Sequence, residues 1–124
     1  MSKGAVLIVD DDATVQELLR EIVEKHGFSA SVVEQGDRAL GEISRHRYDL
    51  LFLDLNLPGL GGIEILQKIK EKGKNVLTVI VTGFADDPIA LKAMSMGPLL
   101  LIRKPFTERD IREVLNIVLK ARTV

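Results

Sequence analysis

The stretch LLFLD, residues 50–54, is an uninterrupted apolar run that ends on an acid. The segment NLPGLGG, residues 56–62, follows it and is rich in residues that form turns and loops. A short run that does not alternate between apolar and polar residues is typical of a strand buried on both faces. It therefore predicts a central strand of a parallel sheet, with Asp54 where the chain leaves the sheet.

Four further segments are also short and mainly apolar, and residues 28–33 are the weakest strand candidate among them. They are residues 5–9, 28–33, 76–81 and 99–102. Apolar residues with helical spacing lie between the runs. Five strands alternating with five helices predict an α/β fold in which helices cover both sides of a parallel sheet.

The predicted helices begin and end at recognisable signals. The expected start signals are Thr14 with Glu17, Asp37, Asp87 before Pro88, and Thr107 with Asp110, and the expected stops are Gly27 and Gly73. In a parallel sheet of this class, ligands bind at the carboxyl ends of the strands. The functional residues should therefore follow the apolar runs.

The bulk composition excludes several classes of protein. A chain of 124 residues is the size of one domain, so residues 1–124 are expected to form a single unit. A net charge of -1 with scattered basic residues argues against direct binding of nucleic acid or an anionic membrane. The chain has no cysteine and no apolar run near the roughly 20 residues of a membrane span, so we expect a cytoplasmic location.

Acids follow two of the apolar runs. Asp10 and Asp11 come directly after the first run, and Asp54 comes after the third. Carboxylates about 4 Å apart repel by roughly 4 kcal/mol per pair at an effective dielectric constant near 20, so a bound cation is expected among them. Oxygen ligands without His or Cys favour magnesium, manganese or calcium, and magnesium leaves room for a phosphate oxygen.

Thr82 follows the fourth run and Lys104 the fifth. A hydroxyl and an ammonium group beside a cation suit an anion with several acceptor oxygens, such as a phosphoryl group. Asp54 would then be placed to attack phosphorus and form an aspartyl phosphate.

Four motifs in this order resemble those of response-regulator receiver domains of two-component signal transduction. They are VDDD at residues 9–12, LDLNLPGLGG at 53–62, VTG at 81–83 and KPF at 104–106. The resemblance covers the whole chain. It implies a three-layer, doubly wound (βα)5 sandwich of the flavodoxin-like type, with a five-stranded parallel sheet in the order 2-1-3-4-5.

The same resemblance implies roles for the site residues. Asp54 is the expected phosphorylation site. Asp11 and Asp54 would ligate Mg²⁺, or Mn²⁺ in its place, with the backbone carbonyl of Asn56, and Asp10 would hold the ion through water. Lys104 would pair with the phosphoryl group. Thr82 would turn its hydroxyl toward that group and draw in the following loop as the on-state signal.

The resemblance also implies a signalling domain whose only reactions are its own phosphorylation and dephosphorylation. Its expected partners are a sensor histidine kinase or phosphotransfer protein and an output domain or downstream protein. Asn56 and Phe84 stand where members of the family control hydrolysis of the acyl phosphate, and Phe84 is expected to shield it. The Lys104–Pro105 bond is expected to be cis.

The chain departs from the family pattern near its fifth strand. Leu101 stands where many members carry an aromatic residue that rotates on activation, and residues 98–100 replace an often acidic stretch. We hypothesise an apolar docking face, and a homodimer through the last strand and helix. The docking face would include Met94, Met96, Ile117 and Leu119. The alternative is that these side chains pack in the core.

Other readings of single residues remain open. Asp10, Asp12 and Thr14 spell DxDxT, the motif of haloacid-dehalogenase-type phosphatases, which would make Asp10 the nucleophile and leave Asp54 without a task. A domain that keeps the fold only for protein interaction is a further alternative. His26 and His46 lack metal-ligand spacing and are expected to be structural.

Overall fold

The structure, a computed structural model, describes residues 2–57, 61–74 and 76–123. Five strands alternate with five helices. The strands are β1 (Ala5–Val9), β2 (Ser29–Val33), β3 (Leu50–Asp54), β4 (Leu77–Thr82) and β5 (Leu100–Arg103). The helices are α1 (Ala13–Lys25), α2 (Gly36–Arg45), α3 (Gly62–Glu71), α4 (Pro88–Met94) and α5 (Glu108–Thr123).

All five strands are parallel and form one sheet in the order β2-β1-β3-β4-β5. This confirms the predicted fold class and strand order. The register is nearly level across the centre, since Val9 lies beside Leu53 and Leu53 lies beside Ile80. The carboxyl ends of β1, β3 and β4 therefore meet at one edge of the sheet, with β3 in the middle.

Side chains that alternate along the strands fill two separate cores, one on each face of the sheet. Leu51 and Leu53 of β3 belong to the core covered by α2, α3 and α4. Leu50 and Phe52 belong to the core covered by α1 and α5. All four are at most 1% exposed. The absence of a solvated face explains why the strand reads as a continuous apolar run.

Two of the predicted helix starts are wrong. Asp12 caps α1, because its Oδ1 accepts hydrogen bonds from the backbone N–H groups of Thr14 at 2.8 Å and Val15 at 3.3 Å. Thr14 therefore lies inside the helix and is not its N-cap. The second helix begins at Gly36, so Asp37 lies inside its first turn and is not the N-cap. The negative charge of Asp37 there interacts favourably with the helix dipole.

The other predicted signals are confirmed. Asp87 caps α4 through a bond to the N–H of Ile89 at 2.9 Å, with proline at the first helical position. Thr107 and Asp110 exchange backbone-to-side-chain bonds of 2.9 and 3.2 Å, which is the reciprocal capping box. Gly27 and Gly73 follow the ends of α1 and α3 with φ values of 91° and 66°, which favour glycine.

Several predicted boundaries move by one residue. β2, β4 and β5 each begin one residue later than expected, and the last two end one residue later. Thr82 is consequently the final residue of β4, and Asp54, expected directly after its apolar run, is the final residue of β3. Gly62 begins α3 instead of belonging to the loop, and the predicted loop residues 58–60 lie outside the described residues. The cis Lys104–Pro105 bond is confirmed.

The hypothesised apolar docking face is wrong in its grouping. Met94 and Met96 pack against the core beneath α2, α3 and α4, whereas Leu119 packs against the core on the other side of the sheet. Ile117 is 40% exposed on α5. Met94, Met96 and Leu119 therefore pack against two different cores, as the core-packing alternative has it, while a homodimer through β5 and α5 stays a prediction.

Gly62→Ala should destabilise the fold, because α3 approaches the backbone after β3 closely. A Cβ at Gly62 would lie 2.8 Å from both Cα and Cδ2 of Leu55 and 3.2 Å from the carbonyl oxygen of Asp54. The overpacking should lower the free energy of unfolding by about 1–3 kcal/mol. Urea denaturation followed by circular dichroism measures the change.

Gly41→Ala is the matched control. Gly41 lies inside α2, and a Cβ there would meet only the Arg45 side chain, at 3.6 Å. Removing a glycine from a helix interior should stabilise the protein by about 0.5–1 kcal/mol. The account of α3 packing is contradicted if both variants change stability in the same direction.

Candidate functional site

Five predicted site residues come to one edge of the sheet. Asp54 ends β3 and Thr82 ends β4. Asp10 and Asp11 follow β1 directly, and Lys104 follows β5. The parallel order of the strands creates this cluster, since residues 94 positions apart in sequence become neighbours at the carboxyl edge.

The three acids are close together but differ in burial. One carboxylate oxygen from each of Asp10, Asp11 and Asp54 lies within 4.8 Å of the others. Asp10 is 1% exposed and Asp54 is 5% exposed, whereas Asp11 is open to solvent. Two ionised carboxylates at this separation repel by roughly 3 kcal/mol at an effective dielectric constant near 20. The cluster therefore favours a counter-charge.

Lys104 supplies one such charge. Its Nζ donates to Oδ2 of Asp10 at 2.9 Å and to Oδ2 of Asp54 at 3.5 Å. One ammonium group cannot neutralise three carboxylates, so the cluster keeps a negative charge. The donor set consists of oxygens, with an accessible acid on one side, and could hold a hard divalent cation.

Burial and charge shift the acid-base behaviour of this pair. Burial raises the pKa of Asp10, against the lowering effect of its bonds to the Asp12 N–H and Lys104. For Lys104, burial acts to lower the pKa, but the hydrogen bond and charge of Asp10 and the charge of Asp54 outweigh it and raise the pKa. Lys104 therefore stays a cation at neutral pH.

The backbone fixes both buried carboxylates in the same way. Oδ1 of Asp10 accepts from the N–H of Asp12 at 2.9 Å, and Oδ1 of Asp54 accepts from the N–H of Asn56 at 3.1 Å. Each Oδ2 atom faces Lys104. The two acids are thus oriented before any ligand arrives.

Thr82 is 1% exposed and accepts two hydrogen bonds from backbone N–H groups. Its Oγ1 accepts from the N–H of Phe84 at 3.1 Å, and its carbonyl oxygen accepts from the N–H of Lys104 at 2.8 Å. The first bond connects the hydroxyl to the loop after β4, and the second connects β4 to the start of the β5–α5 loop. A movement of the Thr82 hydroxyl would therefore act directly on the loop after β4, whereas the bond to Lys104 belongs to the Thr82 backbone.

A family model for the response regulator receiver domain matches residues 6–116 of this chain. The match covers most of the fold and all of the clustered residues. The chain belongs to the response regulator receiver domain family. Phosphorylation by a histidine kinase is the standard role of receiver domains in two-component response regulators.

Individual relatives agree with this assignment. The chain is 32% identical over 116 residues to sporulation initiation phosphotransferase F of Bacillus subtilis, covering 94% of each chain. It is 29% identical over 117 residues to response regulator protein TodT of Pseudomonas putida, of whose length it spans 52%.

A solved structure agrees as well. The CheY-like receiver domain of Methanospirillum hungatei superposes with a TM-score of 0.89 at 26% identity, covering 97% of this chain and 96% of that one.

The DxDxT spelling near the N-terminus has a structural explanation in this receiver domain. Asp12 caps α1, and Thr14 donates its backbone N–H to that cap. Asp10 is bonded to Lys104. The family whose model matches residues 6–116 is the receiver domain, which does not favour the phosphatase hypothesis.

Sequence reasoning missed one residue of the site. The side-chain amide of Gln16 on α1 donates to the backbone carbonyl oxygen of Asp10. The contact joins the first turn of α1 to the loop that carries the acids. No spacing rule marks this glutamine, because the contact depends on how α1 leaves the sheet.

The two histidines, which are expected to be structural, lie outside the cluster of acids. His26 follows α1 and His46 follows α2, and within the described residues no group of three or more potential ligands includes either.

No helix in residues 2–57, 61–74 or 76–123 has both the length and the apolar character needed to cross a bilayer.

Asp11→Asn should change stability in opposite directions with and without a divalent cation. In a chelating buffer the variant should be more stable than the parent by about 0.5–1 kcal/mol, because one repelling charge at an exposed position is removed. With excess Mg²⁺ the parent should gain stability through binding and the variant should gain much less. Thermal unfolding in both buffers measures this.

Asp12→Asn is the control with the same change in net charge. Asparagine caps helices about as well as aspartate, so α1 should keep its start. The response to Mg²⁺ should equal that of the parent. An equal Mg²⁺ response in Asp11→Asn and the parent would contradict the metal-binding role of the cluster.

Proposed function

We propose that Asp54 is the phosphoryl acceptor of this receiver domain, and that residues 1–124 act as one domain. The observation that carries the proposal is the placement of Asp54. Its buried carboxylate ends the central strand, is fixed by the Asn56 N–H, and faces the ammonium group of Lys104. A carboxylate oriented in this way acts as a nucleophile with little reorganisation.

The transfer would exchange one bond to phosphorus for another. A carboxylate oxygen of Asp54 attacks the phosphorus of a donor phosphohistidine, and the P–N bond breaks as the P–O bond forms. The electron pair of the broken bond stays on the donor nitrogen. The product is an acyl phosphate, from which water later releases inorganic phosphate and regenerates Asp54.

The residues present fit a magnesium ion. Asp11 and Asp54 would supply carboxylate oxygens, Asn56 would supply its backbone carbonyl, and Asp10 would act through water. When bound, Mg²⁺ would neutralise negative charge on the phosphoryl oxygens, and Mn²⁺ would serve in the same way. The support is the surplus of carboxylate over ammonium charge in the cluster.

Lys104 and Thr82 would read the phosphorylated state. Lys104 already contacts the Asp54 carboxylate, so its ammonium group is within reach of a phosphoryl group on that residue. The Thr82 hydroxyl would donate to a phosphoryl oxygen, and its bond from the Phe84 N–H would transmit the change to the loop before α4. Leu101, half-buried against the core under α4, has no hydroxyl to repeat the usual aromatic relay.

The donor would be a sensor histidine kinase or a phosphotransfer protein. A relative that this chain covers almost end to end is called a phosphotransferase, which supports a role in passing a phosphoryl group between proteins. The domain would react only with its own phosphoryl group, through self-phosphorylation from a donor and self-dephosphorylation. Its signal would be altered binding to an output domain or a downstream protein.

Asp54→Asn should abolish phosphorylation. The parent, incubated with acetyl phosphate and Mg²⁺, should gain the mass of one phosphoryl group in intact mass spectrometry, whereas the variant should gain none. Asp37→Asn, which removes an exposed acid from α2 with the same change in charge, should be labelled like the parent.

Two outcomes would contradict the assignment. Persistent labelling of Asp54→Asn together with loss of labelling in Asp10→Asn would favour the phosphatase alternative. A parent that takes up no phosphoryl group would favour a domain that serves only for protein interaction.

Phe84→Ala should lose phosphate several-fold faster than the parent. Phe84 is 64% exposed beside Thr82, where its ring would limit the approach of water to the acyl phosphate. Leu91→Ala removes a similarly exposed side chain, 68% exposed, from α4 and should decay like the parent. Decay of the phosphorylated mass after removal of the donor gives the rates, and equal rates in all three proteins would refute shielding.

A further inference from the structure

A cavity of about 280 Å³ lies at the edge of the sheet opposite the acids. It is formed where the chain passes from α2 into β3 and from α3 toward β4. Its polar lining is basic, with Arg45, His46, Arg47 and Lys74, and no carboxylate side chain lines it. The whole chain carries a net charge of -1, so this basic lining is a local concentration of positive charge.

Two of these cations have no structural task. The side chains of Arg47 and Lys74 make no hydrogen bond or ion pair with any residue in the described part of the chain. Both lie beyond helix ends, since α2 ends at Arg45 and α3 ends at Glu71. Interaction with a helix dipole, the usual role of basic residues in a last turn, therefore does not account for them.

The walls of the cavity are held in place by polar contacts. Nζ of Lys72 donates to Oγ of Ser44 at 2.9 Å and joins the ends of α2 and α3. The buried Tyr48 donates its hydroxyl to Oε1 of Glu42 at 2.9 Å, and Arg45 donates to Oε2 of the same carboxylate at 3.3 Å. The site is thus largely formed before a ligand binds.

A second cavity of about 430 Å³ adjoins the first and shares Arg47, Tyr48 and Lys74 with it. Apolar side chains of Val76, Leu77 and Val118 line the second cavity, together with Asp49, whose Oδ2 accepts from the N–H of Ala5 at 2.9 Å. The two spaces together offer a cationic end and an apolar end. That division suits a ligand with an anionic head and an uncharged, planar or apolar body.

We propose that these two cavities bind a small phosphate-bearing molecule. The forked guanidinium group of Arg47 and the ammonium group of Lys74 hold the phosphate, with Arg45 at the margin. The body of the ligand lies against Tyr48, Leu77 and Val118. The site is separate from the cluster around Asp54 and does not depend on phosphorylation there.

Titration of the isotope-labelled chain, followed by amide resonances in NMR, tests the proposal. The probes are inorganic diphosphate and adenosine diphosphate, in buffer free of divalent cations. Saturable shifts are expected at residues 43–48 and 76–77, with tighter binding of adenosine diphosphate. Arg47→Gln combined with Lys74→Gln should weaken both by at least about tenfold, or 1.4 kcal/mol.

The control combines Lys92→Gln with Arg112→Gln, two exposed residues elsewhere, and has the same net charge. It should bind both probes like the parent. The proposal would be overturned if the two double variants weaken binding equally, if the shifts are concentrated at residues 10–12 and 104, or if no shift is saturable. Equal affinity for the two probes would overturn the part that concerns the body of the ligand. Both double variants change exposed side chains, and their circular dichroism spectra should match the parent's.

Discussion

Repulsion among carboxylates at the carboxyl edge of the sheet is the constraint on which the site depends. The strand order makes β1 and β3 neighbours, so Asp10 and Asp54 are buried side by side with Asp11 close by. Lys104 relieves this repulsion only in part. The same unbalanced charge makes the edge receptive to a cation. Lys104 contacts the Asp54 carboxylate, where the proposed function would place a phosphoryl group. Apolar cores on both faces hold the strands in this arrangement.

Most of the fold follows from features that a sequence displays directly. Strands buried on both faces are continuous apolar runs, and LLFLD is the clearest of them. Helix starts were harder to predict, because several polar residues competed for one cap. Asp12 and Thr14 are both good caps, and only the path of the chain after β1 decides in favour of Asp12. The pairing of Met94 with the last helix failed because sequence proximity does not reveal which face of the sheet a helix covers.

The members of the cluster were predictable because each one ends or follows a strand. The structure brings Asp10, Asp11, Asp54 and Lys104 together, and holds Thr82 to the Lys104 backbone. The bond from Gln16 to the Asp10 carbonyl was not predictable, since it depends on the angle at which α1 leaves the sheet. The basic cavity was missed for a similar reason. Its residues come from two separate loops that meet only when α2 and α3 pack together.

A paramagnetic ion gives the most direct test of the acid cluster. Mn²⁺ added at substoichiometric amounts should broaden the amide resonances of residues 10–12, 54–56 and 104 before any others, and excess Mg²⁺ should restore them. Such a result would place one ion among Asp10, Asp11 and Asp54. Broadening centred elsewhere, or uniform broadening of surface acids, would contradict the claim that these three carboxylates form one divalent-cation site.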